Sequence, residues 1–286
     1  MEEITSIEQA LVAVRKDGTA LGNVPEKLKT AEVCLEAVKH GGYLNDVPWE
    51  LKTEEICLEA VKQGKDYTAL MGVPESQRTA KVCLEAVKRH GEALKYLPKE
   101  LMEKPPKGFG AACLKAVKED GKVLEYVPEN LRTAEMCLEA VKQTGQLAYV
   151  PENLKTEEIC LIAVKQSGNM LGYVPENLRT AELCLEAVKQ TGQALSHVPE
   201  EFKTAELCLE AVKRSGYAFG SVPEKLKTKE LCLEAVKLDG SALEDVPEKL
   251  KTVELCLEAV KQDDRALEYV PEKLRDEVSR RFENGK

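Results

Sequence analysis

Apolar positions recur along this chain in one fixed order, and each recurrence predicts the same helical element. From Thr180 to Lys203, residues set at 100° steps place Leu183, Cys184, Leu185, Ala187 and Val188 on an arc of roughly 200°, while Glu182, Glu186 and Lys189 fill the remaining strip. So wide an arc predicts a helix sandwiched between two neighbours and a partner element. Thr180 is the expected N-cap, Glu182 suits the first turn, and Gly192 is expected to end the helix in a left-handed conformation. Next, Gln193 to Val198 predicts a short second helix with Ala194, Leu195 and Val198 on one face. Pro199 then forces Val198 out of the helical region and opens a return turn, in which Phe202 takes the place that Leu holds in most copies.

The same sentence is repeated along nearly the whole chain. Cys34, Cys57, Cys83, Cys113, Cys137, Cys160, Cys184, Cys208, Cys232 and Cys256 are separated by 23, 26, 30, 24, 23, 24, 24, 24 and 24 residues. The turn proline recurs as Pro25, Pro48, Pro74, Pro98, Pro128, Pro151, Pro175, Pro199, Pro223, Pro247 and Pro271. A fixed period in this range predicts an all-α fold, a right-handed α-solenoid of about eleven 24-residue repeats, each a long helix, a short helix and a Pro-initiated turn. One solenoid is expected over residues 1–286: a capping repeat at 1–29, repeats at 30–101, an irregular loop at 102–110, repeats at 111–270 and a cap at 271–286. Ala10 stands in the cysteine slot of the first copy. At the far end Asp276 replaces the capping Thr, and Arg280 and Arg281 fall where Cys and Leu would be buried.

Composition sharpens this picture. With four Phe and one Trp, the core has to be Leu, Val, Ala and Cys, and the net charge of −9 comes from the repeats themselves. An acidic surface argues against a nucleic-acid backbone as ligand and favours a protein partner with a basic surface. No run approaches the roughly 18 apolar residues of a membrane span. The acidic opening residues carry no apolar leader core, so a cytoplasmic chain is expected.

One cysteine per repeat places equivalent residues about 8–10 Å apart, beyond the roughly 7 Å Cα separation that a disulfide allows. There is no C-x-x-C pair, so the thiols are read as small buried hydrophobes in a reducing compartment. Three histidines, His40, His90 and His197, lie in different repeats without a nucleophile or carboxylate constellation. Neither an enzyme nor a cofactor is expected.

The run L-x-A-V-K-x-x-G-x-A-L-x-x-V-P-E-x-L-K, here Leu185 to Lys203, resembles a bacterial family of short tandem helical repeats of unknown function. The resemblance extends from about Ile4 to Arg275 and breaks between Leu101 and Gly110. It implies stacked helices and no activity to carry over.

Positions that vary inside a regular repeat are the candidates for a specific site. The residue before each Val-Pro or Leu-Pro pair reads Asn23, Asp46, Gly72, Tyr96, Tyr126, Tyr149, Tyr173, His197, Ser221, Asp245 and Tyr269. Tyr96, Tyr126, Tyr149, Tyr173 and His197 would form a stripe of rings suited to a protein partner. Trp49 replaces the Glu that commonly follows the proline, and Phe109 lies in the irregular loop; both are expected as surface anchors. A smaller insertion spans Gln63–Gly72. The function expected is a monomeric, non-enzymatic scaffold that mediates protein–protein interaction through a variable face. The alternatives are a self-assembling structural protein and a cysteine ladder for metal or redox chemistry.

Overall fold

The computed structural model describes residues 4–64 and 67–284 and contains no strand among them. Two compact units, Met1–Gln143 and Thr144–Lys286, make up the chain. In the first, long helices Ile7–Lys16, Ala31–Lys39, Glu54–Gln63, Ala80–Arg89 and Phe109–Glu119 pack in succession. In the second the same holds for Glu157–Gln166, Ala181–Gln190, Ala205–Arg214, Lys229–Leu238, Val253–Gln262 and Glu272–Asn284.

The long helices that follow a Thr begin as the sequence predicts. The Thr180 hydroxyl accepts from Leu183 N at 3.2 Å, and Thr204, Thr228 and Thr252 cap their helices in the same way. In the Ala181–Gln190 helix, Leu183, Cys184, Ala187 and Val188 are buried. Leu185 is not: it keeps 39% of its surface exposed, because it lies at the edge of the apolar arc. Across the chain the ten cysteines are free and buried.

The helix end differs from expectation. Gly192 does not have a left-handed backbone; Thr191, with φ −149 and ψ 114, breaks the helix in an extended conformation, and a 3₁₀ helix follows over Gly192–His197. Glycine is needed for a different reason. A Cβ on Gly192 would stand 2.3 Å from the Ala211 carbonyl oxygen of the next repeat, and one on Gly168 would stand 2.2 Å from that of Ala187. The 3₁₀ helix therefore lies with its first backbone atoms against the neighbouring long helix.

Left-handed glycines occur instead in the two 23-residue repeats, as Gly41 (φ 86) and Gly145 (φ 69). Dropping one residue removes the extended link, and the chain turns through positive φ, which only glycine adopts without strain.

Two further expectations are corrected. The segment at 102–110 is not wholly loop: the turn after Pro98 lengthens into helix Lys99–Glu103, and Gly108 (φ 87) starts helix Phe109–Glu119. At the C-terminal end Asp276 caps nothing, since the turn after Pro271 runs on as helix Glu272–Asn284, with Val278 buried and Arg280 and Arg281 exposed. The Gln63–Gly72 insertion includes residues 65 and 66, which lie outside the described residues, and it closes in a 3₁₀ turn, Tyr67–Leu70. Among the described residues no helix is long and apolar enough to cross a membrane.

Candidate functional site

In most repeats the variable column lies at the end of a 3₁₀ helix, just before the Val or Leu that leaves helical geometry ahead of the proline; Tyr149 and Gly72 stand in turns instead. His197 ends the helix Gly192–His197, and Val198 behind it is 4% exposed. Burying Val anchors the strand of chain on which the column residue stands, while the column residue itself faces away from the core.

In the first unit Tyr96 and Tyr126 are half-buried. Lys95 places its Nζ 4.5 Å from the centre of the Tyr126 ring, a cation–π contact. A hydrogen bond with Glu125 holds the Tyr126 phenol above its ordinary range. In the second unit Tyr149 is 41% and Tyr173 49% exposed, and His197 is exposed. The His197 ring lies over Gly172, where a Cβ would come within 3.0 Å of its Cε1 and Nε2.

One offset explains these contacts. Four column residues rest on the residue that precedes the column in the repeat before: Asp46 on Gly22, Tyr126 on Lys95, His197 on Gly172 and Asp245 on Gly220. Small partners leave the ring open, whereas Lys95 covers it.

Of the two isolated aromatics, Trp49 is 66% exposed, with Lys52 Nζ 5.3 Å from its ring centre. Phe109 is corrected: it is fully buried, because it opens a long helix and takes up core volume instead of presenting itself from a loop.

A second column escaped the sequence reading. The residue before the capping position is basic in most repeats, as Lys29, Lys52, Arg78, Arg132, Lys155, Arg179, Lys203, Lys227, Lys251 and Arg275. Lys155, Lys203, Lys227 and Lys251 have side chains only 6–8% exposed. Each reaches forward to the backbone carbonyl of the column residue one repeat on. Lys155 Nζ donates to Tyr173 O at 2.8 Å, Lys203 to Ser221 O at 3.1 Å, Lys227 to Asp245 O at 2.6 Å and Lys251 to Tyr269 O at 3.1 Å. Arg179 does so through Nη1 to His197 O at 2.9 Å and adds an Nε bond to Val174 O in its own repeat. The clue lay in position: a charge recurring once per repeat beside a proline turn looks like surface solvation, yet it is a forward clip.

The clip matters to the site because it fixes the carbonyl of the very residue that carries the ring. Replacing Lys155 with Met is expected to cost about 1.5–3 kcal/mol, the range for a hydrogen bond to a charged group. Lys155→Arg is expected to cost far less, since Arg fills the same slot at Arg179. Urea unfolding of the two variants beside the parent chain measures both, and equal losses would refute the clip.

The chemistry available is otherwise sparse. Burial pushes the cysteine thiols up, to about 11 for Cys184 and about 12 for Cys113, so at neutral pH they are protonated and unreactive. No group of three or more His, Cys, Asp or Glu among the described residues is arranged to hold a metal ion. His40 Nδ1 lies 2.8 Å from the Glu36 carbonyl at the end of its own helix.

A family model described as Domain of unknown function (DUF4116) matches residues 113–155, 134–179, 156–203, 180–227, 204–251 and 228–275. These overlapping segments advance by about one repeat at a time and together span more than half of the chain. No curated protein matches it.

Proposed function

Since the chain belongs to the family described as Domain of unknown function (DUF4116), a fold of tandem helical repeats without assigned chemistry, we propose that it is a non-catalytic scaffold that binds another protein through its variable column. One observation carries this reading. The recurring residues are engaged internally, Thr as caps, Cys and Val as core, Gly as close contact and Lys as clip, whereas Tyr173 and His197 keep exposed rings on a backbone fixed from the preceding repeat. Rings held this way give contact area at little entropic cost. Tyr149 extends the same face, and in the first unit Tyr96, Tyr126 and Trp49 are the corresponding candidates.

The net charge of −9 favours a partner with a basic surface, so association would weaken as salt rises. Protonated, buried thiols fit a reducing compartment such as the cytoplasm. The scaffold is taken to act as a monomer.

The test compares the parent chain with a triple variant, Tyr149→Ala, Tyr173→Ala and His197→Ala, as affinity baits in lysate of the native host. Proteins held by the parent alone are then titrated against both by calorimetry. A loss of tenfold or more in affinity is expected, and unchanged affinity would remove the column as the binding face.

A further inference from the structure

In the second unit, where the long helices end and the 3₁₀ helices begin, two adjoining grooves of about 560 Å³ each share Lys213, Arg214 and Ser215 and are lined by none of the column rings. They are lined by the junction segments of four consecutive repeats, around 190–193, 213–217, 238–240 and 262–265. In these repeats the preceding helix is identical, Cys-Leu-Glu-Ala-Val-Lys at 184–189, 208–213, 232–237 and 256–261. The junctions read Gln-Thr-Gly-Gln, Arg-Ser-Gly-Tyr, Leu-Asp-Gly-Ser and Gln-Asp-Asp-Arg: Gly holds the third place in three of them, and the fourth place differs in all four. A constant scaffold whose outermost junction residue changes at every step, Gln193, Tyr217, Ser241 and Arg265, suits a ligand that itself changes along its length.

We propose that this groove binds an extended peptide segment of a partner protein that carries an acidic side chain about three residues from a large apolar one. The proposal rests on the reading of the chain as a protein-binding scaffold and names a site separate from the ring column. The geometry sets the spacing. Adjacent helices stand about 8–10 Å apart, which an extended chain covers in about three residues at roughly 3.3 Å each.

Charge and exposure set the order. Lys213 is exposed and makes no ion pair with a described residue, and Arg214 uses Nε on Glu210 at 2.8 Å. Of the two groove carboxylates, Asp263 is paired with Arg265 at 2.9 Å, whereas Asp239 accepts from the Ser241 hydroxyl at 2.7 Å and keeps its charge. The groove lining holds three cations, Lys213, Arg214 and Arg265, against two carboxylates, and Lys213 is the cation without an ion pair to a described residue, with the outer N–H groups of Arg214 beside it. Next to this pair lie two exposed apolar groups, Tyr217 at 72% and Leu238 at 46%, one of them an aromatic of the kind that anchors interfaces. The acidic side chain meets the first pair, and the apolar one meets the second.

The experiment pans a displayed library of random twelve-residue peptides against the full chain, then measures the enriched peptides by fluorescence polarisation. Two variants take residues from neighbouring repeats, so that their folding is undisturbed: Tyr217→Gln with Leu238→Gln, and Arg214→Gln. Enrichment of peptides with the acidic and apolar pair is expected, with at least tenfold weaker binding to either variant and unchanged binding to the variant lacking the rings of Tyr149, Tyr173 and His197. Peptides that bind all groove variants but not the ring variant would overturn the groove and leave the scaffold reading standing. No enrichment at all would overturn the groove proposal.

Discussion

Raising the pH above 9 is expected to unfold the chain within about one pH unit, well before a protein lacking buried thiols would respond. An unperturbed thiol titrates at 9.0, and burial in this fold pushes Cys34, Cys57, Cys184, Cys232 and Cys256 to about 11. Below pH 9 both folded and unfolded chains hold the proton, and the stabilisation is intact. Between about 9 and 11 the unfolded chain releases protons that the folded one keeps, so each of these five thiols takes away about 1.4 kcal/mol per pH unit. All ten thiols are shifted upward by desolvation, and a domain stability of about 5–15 kcal/mol does not survive that slope for long. Circular dichroism at stepped pH, with recovery on return to neutrality, measures the transition. Changing Cys184, Cys208 and Cys232 to Ala lowers stability at pH 7 through lost packing but flattens the alkaline slope. A helical signal unchanged to pH 11 would refute the account.

The second large effect is a contrast of sign between two glycines. Gly192→Ala drives a Cβ to 2.3 Å from a backbone carbonyl that cannot swing aside, so the 3₁₀ helix has to lift from its neighbour. The cost expected is about 3 kcal/mol, the upper part of the range for overpacking. Gly110→Ala lies inside the helix Phe109–Glu119 with nothing within 4 Å of the new methyl group. There the gain expected is about 0.5–1 kcal/mol, because Ala loses less backbone entropy in a helix. Urea titrations of the two variants separate the cases, and losses at both positions would show that these glycines serve chain flexibility instead of close approach.

The repeat, its long helix and the Thr cap were legible because they depend on local rules: a 3.6-residue period, a hydroxyl three residues from its N–H, a proline that forbids helix before it. Gly192 misled because two different demands, positive φ and lack of a Cβ, leave the same letter in the sequence. Phe109 misled because Pro and Gly around it signalled a loop, while the next helix, starting at that residue, drew it into the core. The lysine clip was invisible for a third reason. Its acceptor is a backbone carbonyl 18 residues on, as from Lys155 to Tyr173, and carbonyls have no letter. Of the ring column, its position and spacing could be read, but which rings stay open depends on the preceding residue in the repeat before, Gly172 under His197 and Lys95 against Tyr126.

The clip also gives the array a grain. Every bond of this kind runs from one repeat to the repeat after it, so a whole unit can be duplicated or removed and the donor meets an equivalent acceptor again. The slot has one conspicuous substitute in the first unit: Met102, four residues after Pro98 as Lys29 is after Pro25, carries a thioether with no proton to give. The joint ahead of Tyr126 is thus a seam in that unit, closed by side-chain packing and by Lys95 over the ring instead of by a clip.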